Sequence, residues 1–222
     1  MTTSAWTFAR LFATTCAAAA LLSFAALPVG AQVGKTLGAL DANLAPEAQI
    51  AALPGMTPAL ATALVAGRPY LTMGALDAAL AKSMSAAQRK ALYPKLFLPI
   101  NLNKATDAEI GLVPGMGPRM LREFKEYRPY ASLAVWRKEM GKYVKAKELA
   151  RMEQYVFVPV ELNSAKDDDL MSIPGAGQRM VREFKEYRPW KNEAQFRKEI
   201  GKYVNEKEVA RLWSYVYIKP VN

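Results

Sequence analysis

Leu112-Val113-Pro114-Gly115-Met116-Gly117-Pro118-Arg119 joins two stretches of helical spacing, and it returns sixty residues later as Ser172-Ile173-Pro174-Gly175-Ala176-Gly177-Gln178-Arg179. The octapeptide behind it, Arg122-Glu123-Phe124-Lys125-Glu126-Tyr127-Arg128-Pro129, returns unchanged as Arg182 to Pro189. One period earlier stand Pro54-Gly55-Met56 and Arg68-Pro69-Tyr70. Asn43, Asn103 and Asn163 open the three copies, and Leu76, Trp136 and Phe196 align deep in their second halves. A fixed period without gaps marks one supersecondary unit repeated in tandem. The units run 41–100, 101–160 and 161–222, with Pro99 and Pro159 at two borders and residues 32–40 as a short linker.

Capping residues and apolar spacing predict four helices per unit. In the second unit Asn103 or Thr106 caps a helix through Asp107, Glu109 and Ile110 to Leu112, which Val113-Pro114-Gly115 stops. Pro118 suits the first turn of the next helix, where its missing N–H costs nothing. Met120, Phe124 and Tyr127 give that helix an inward face, and Arg128-Pro129 ends it. Ser132 begins a third helix through Leu133, Trp136 and Met140. A turn at Gly141 leads into a fourth, through Leu149 and Met152 to Tyr155, before the apolar tail Val156-Phe157-Val158.

The composition narrows the chemistry. The 222 residues contain no histidine, and the one cysteine, Cys16, lies near the N-terminus. There Arg10 is the only charge before an apolar run from Leu11 to Leu27, which breaks at Pro28 and ends in Val29-Gly30-Ala31. This is the pattern of a secretory signal peptide spanning 1–31, cleaved after Ala31 to leave Gln32 as the new N-terminus. The run of about 17 residues includes Thr14, Thr15 and Ser23, which makes an uncleaved membrane anchor the weaker reading. The expected mature chain is periplasmic or secreted, lacks a second spanning segment, and has neither thiol nor imidazole. Zinc sites, cysteine nucleophiles and Ser-His-Asp triads are thereby excluded from it. No other catalytic set, cofactor loop, metal site or small-molecule site is legible. A formal charge of +10 favours polyanionic partners.

The phrase Asn-Leu-Asn-x-Ala-x-x-x-x-(Ile/Leu)-x-x-(Val/Ile)-Pro-Gly-x-Gly, followed by a helix ending in Tyr-Arg, spans Asn101 to Arg128 and again Glu161 to Arg188, where Glu161 replaces the first Asn. It resembles the helix-hairpin-helix domain of ComEA-type competence DNA receptors. The resemblance implies an all-α fold of three tandem 60-residue helix-hairpin-helix units behind the signal peptide. It also implies a non-enzymatic role in binding DNA without reading its sequence, with DNA uptake as the associated process. Backbone N–H groups at a helix start, aided by the helix dipole, suit phosphate. Gly115, Met116, Gly117 and the amide of Arg119 are the candidate cup in unit 2, and Gly175, Ala176, Gly177 and Arg179 the one in unit 3. Arg119, Arg122, Arg179 and Arg182 would add charge around the phosphate.

Unit 1 departs from the pattern: Thr57 replaces the second glycine and Ala59 the arginine. The second hairpins, at Gly141 and Gly201, keep one glycine each and read as built for packing. The rival to DNA binding is a protein-interaction module on the same fold, as in the extrinsic lumenal subunit of photosystem II, which resembles a helix-hairpin-helix tandem. Attachment to an anionic membrane is weaker, because no helix pairs a basic stripe with a broad apolar face. Arg119 and Arg122 stand four residues before Glu123 and Glu126, so internal ion pairing competes with phosphate for them. Unit 2, with 11 basic against 7 acidic side chains, is a better DNA candidate than unit 3, with 12 against 10. The spacing of Tyr127, Tyr130, Trp136, Tyr143 and Tyr155 assigns them to core or inter-unit packing rather than base stacking. Asp167-Asp168-Asp169 complements a helix dipole more simply than it forms a cation site.

Overall fold

A computed structural model of the chain describes residues 32–220, so the signal-peptide reading of 1–31 lies outside the described residues. The described chain is mostly helical, and each 60-residue unit repeats one order of elements. In unit 1, β1 (Leu40–Asp41) precedes α1 (Glu47–Ala51), α2 (Pro58–Ala66), α3 (Met73–Ala81), α4 (Ala86–Leu92) and β2 (Leu96–Phe97). Unit 2 carries β3 (Ile100–Asn101), α5 (Asp107–Leu112), α6 (Pro118–Glu126), α7 (Leu133–Met140), α8 (Ala146–Glu153) and β4 (Val156–Phe157). Unit 3 carries β5 (Val160–Glu161), α9 (Asp167–Met171), α10 (Gln178–Glu186), α11 (Glu193–Ile200), α12 (Glu206–Trp213) and β6 (Val216–Tyr217). No helix among the described residues is long and apolar enough to cross a membrane.

The strands are an addition to the helical expectation. The first and last strands of each unit pair in parallel, Leu40 with Leu96, Ile100 with Val156 and Val160 with Val216. Each four-helix unit is therefore closed on itself. Thr106, not Asn103, caps α5, in a capping box with Glu109. Asn103 is a clamp: its Nδ2 donates to Tyr130 O at 2.9 Å and its Oδ1 accepts from Tyr130 N–H at 2.7 Å. Asn43 grips Tyr70 and Asn163 grips Trp190 in the same way. The ring of each gripped residue reaches back to a helix carbonyl, at Leu64, Phe124 and Phe184. Arg68 and Arg188, of the repeated Arg-Pro steps, donate to carbonyls of the loop before α1 (Ala42, Ala45) and α9 (Leu162, Ala165). These recurrent polar residues hold the second interhelical loop to the start of the unit.

Tyr130, Trp136 and Tyr155 are buried, as are Trp190, Phe196 and Tyr215 in unit 3. One apolar cluster spans units 1 and 2, and a second fills unit 3. The stretch 32–40 does more than connect. Val33 pairs antiparallel with Phe157 and is buried in the unit 3 cluster, so Gln32–Gly34 runs as an extra strand along β4.

Candidate nucleic-acid interface

All three first hairpins share one backbone. Gly55, Gly115 and Gly175 have φ of +79°, +80° and +78°, a left-handed conformation that favours glycine. The next amide closes the turn: Met56 donates to Leu53 O, Met116 to Val113 O and Ala176 to Ile173 O, at 2.9 to 3.1 Å. The N-cap of the following helix comes next, as Thr57, Gly117 or Gly177, in extended conformation.

The units differ at that N-cap. In unit 1 the Thr57 hydroxyl accepts from Leu60 N–H at 3.2 Å, so the side chain occupies the space in front of the helix end. Gly117 and Gly177 offer no side chain, and their helices have no cap hydrogen bond. The amides of Gly117, Arg119 and Met120 have no partner among the described residues. Unit 3 leaves the amides of Gly177, Gln178, Arg179 and Met180 in the same condition, one more because Gln178 replaces a proline. The amides of Met116 and Ala176, placed in the cups by sequence reasoning, are used inside the turn, and Ala176 is only 5% exposed. Besides the expected Gly117, Arg119, Gly177 and Arg179, the open donors include Met120, Gln178 and Met180.

Nothing in the fold requires glycine at 117 or 177. Their φ values of −93° and −80° suit any residue, and an added Cβ would meet nothing within 4 Å. Thr57 occupies the equivalent site with the same backbone.

Around the cups, Arg119, Arg122, Arg179 and Arg182 are exposed, and none forms an ion pair among the described residues. The anticipated pairing with Glu123 and Glu126 is not made. Arg119 instead lies 5.7 Å from the Tyr143 ring centroid and Arg179 lies 5.5 Å from that of Tyr203. The Tyr143 hydroxyl meets that of Tyr127 at 2.8 Å, and its neighbours Tyr127 and Glu123 push its pKa up. The turn after α7 thus steers the arginine of α6 through an aromatic face. Lys125 and Lys185 are paired with Asp107 and Asp167 at 2.7 Å, and Asp169 accepts from Lys166 N–H, so this acidic run serves the helix start.

Sequence reasoning missed Arg151 and Arg211. Arg151 Nη2 donates to Pro114 O at 2.8 Å, and a pair with Glu148 raises its pKa. It braces the loop from behind, so close that a Cβ on Gly115 would meet Nη2 at 2.3 Å. Arg211 fills the same place beside Gly175 and is 2% exposed. The signal was available: these arginines occur in the two units that keep Gly-x-Gly, and unit 1 has Ala91 there. At the second hairpins, a Cβ on Gly141 or Gly201 would meet the carbonyl of Arg137 or Arg197, one turn back in the same helix, at 2.8 or 2.6 Å.

Comparison with known proteins gave no match: no family model, curated protein or solved structure is significantly similar to the chain.

Proposed function

We propose that the protein is a non-enzymatic, exported DNA-binding protein made of tandem helix-hairpin-helix units. Units 2 and 3 hold backbone phosphates without reading base sequence, and unit 1 serves as scaffold. One observation carries this reading. Gly117 and Gly177 are not needed for the turn, yet they leave the amides of Met120 and Met180 open with their neighbours at a positive helix end, where in unit 1 the Thr57 hydroxyl takes the equivalent amide of Leu60. Free arginines beside both clusters supply the charge that phosphate contacts use. DNA uptake is the process that the competence-receptor resemblance suggests.

The test is binding of the protein to short labelled duplexes of unrelated sequence across a salt series. If the two hairpins together neutralise about four phosphates, log affinity falls against log salt with a slope of about −3.6. That is a loss of roughly 150-fold between 50 and 200 mM salt. Equal affinity for every duplex is expected. Absence of binding at 50 mM salt would sink the proposal and leave the protein-interaction reading.

A further inference from the structure

The strand that Gln32–Gly34 adds to β4 occupies a defined slot. Gly34 N–H donates to Val156 O at 3.1 Å, Val158 N–H donates to Gln32 O at 2.8 Å, and Leu133 N–H donates to Gln32 Oε1 at 3.4 Å. Val33 covers Phe157, and both are buried. Gly34 passes so close to α8 that a Cβ there would meet Glu153 O at 1.8 Å.

Sixty residues later the same slot is open. Val216 O, Ile218 N–H and Glu193 N–H have no partner among the described residues. Tyr217, the counterpart of Phe157, is 38% exposed where Phe157 is 4%. In unit 1 the equivalent groups Leu96 O, Leu98 N–H and Met73 N–H also have no hydrogen-bond partner among the described residues, but Leu96, Phe97 and Leu98 are at most 3% exposed, so side chains cover that face. Of three equivalent faces, two are covered and the third opens on a groove of about 940 Å³. Glu193, Trp213, Val216, Tyr217 and Ile218 line one side of it, and Leu71, 49% exposed, stands on another.

We propose that the β6 edge and this groove bind an extended segment of a partner protein by strand addition. The occupant runs antiparallel to β6. It accepts from Ile218 N–H, donates to Val216 O, sets a β-branched or other apolar side chain on Tyr217, and has glycine or another small residue beside the Trp213 carbonyl. Strand addition of this kind takes affinity from the main chain and selectivity from alternate side chains. The arrangement of Gln32-Val33-Gly34 on β4 defines these requirements, which are independent of DNA binding.

The probe is a labelled peptide, Gln-Val-Gly-Lys-Thr-Leu, matching residues 32–37 and titrated into the protein with anisotropy as the readout. Saturable binding is expected. It should weaken roughly tenfold in Ile218→Pro, which removes the donor without breaking an internal hydrogen bond among the described residues. A peptide carrying Val33→Asp leaves the protein untouched and should not bind. Failure of the native peptide to bind overturns the proposal, as does equal binding by Ile218→Pro, the result expected if the peptide merely displaces the segment on β4. Self-association of the protein that the peptide abolishes would assign the groove to a second copy and overturn the separate-partner reading.

Discussion

Replacing Gly117 and Gly177 by aspartate separates stability from binding, and the structure fixes the sign of both changes. Each new Cβ enters open space on a backbone that Thr57 already tolerates, so no strain is introduced. Each carboxylate reaches the amide of Met120 or Met180, as the Thr57 hydroxyl reaches Leu60 at 3.2 Å. A capping side chain is worth a few tenths of a kcal/mol over glycine, and its charge adds to the dipole interaction. The two sites together should contribute about 1 kcal/mol, or about 2 to 4 °C in Tm for a chain of this size. Binding should move the opposite way. The carboxylate stands where a phosphate oxygen would accept, removing charge-assisted hydrogen bonds worth about 1.5 to 3 kcal/mol per hairpin. That predicts a ten- to hundredfold loss of duplex affinity per site, roughly, with a shallower salt slope. Thermal unfolding and fluorescence anisotropy on the same samples read both effects. A stabilised double variant with undiminished affinity would refute the amide-cup mechanism. A destabilised one would refute the claim that these glycines are structurally dispensable.

Thr57→Gly with Ala59→Arg should open a third cup, steepening the salt slope by about 0.9 per added phosphate contact at a cost of a few tenths of a kcal/mol; an unchanged slope would count against the mechanism. Asn103→Leu strands the N–H and carbonyl of Tyr130 and should cost about 2 to 4 kcal/mol in denaturant unfolding, whereas Ser132, a half-buried helix cap, should cost about 1 kcal/mol when changed to alanine. Burial raises the Asp41 carboxyl above its ordinary 3.8, partly offset by hydrogen bonds from Asn43 and Leu44 N–H. The folded state therefore retains a proton that the unfolded chain releases, and this contribution is lost as pH rises from 3.8 through the folded value. Asp41→Asn should remove that loss and gain stability relative to wild type towards neutral pH, because Asn101 caps the same turn in unit 2. Unfolding curves between pH 3 and 7 that stay parallel would contradict it.

The period, the helix starts at Thr106 and Ser132 and the inward aromatics were legible because capping and apolar spacing are local. The role of Asn43, Asn103 and Asn163 was not, although their recurrence was plain. Each acts on a backbone 27 residues away, a distance at which spacing says nothing about contact. The parallel strand pairs were hidden for the same reason, since two-residue strands have too little length to show alternation. At the site, sequence picked out the two Gly-x-Gly turns and the open amides of Gly117, Arg119, Gly177 and Arg179, but it also counted those of Met116 and Ala176, which the turn uses, and left out Met120, Gln178 and Met180. Which N–H groups remain open depends on the turn hydrogen bonds of Met116 and Ala176.

By itself the sequence determined the repeated unit, its helical content and the positions of its hairpins, because those follow from local conformational preference and a pattern present three times. Only the tertiary structure decided that Gly117 and Gly177 are free of backbone constraint while Gly115 and Gly175 are not. It also decided that Arg119 rests on Tyr143 rather than on Glu123, and that Gln32–Gly34 fills on unit 2 a slot that stays open on unit 3. Each of these depends on atoms brought together from distant parts of the chain. Similar repeats acquire different surroundings once they pack, so three copies of one sequence pattern do not present three copies of one surface.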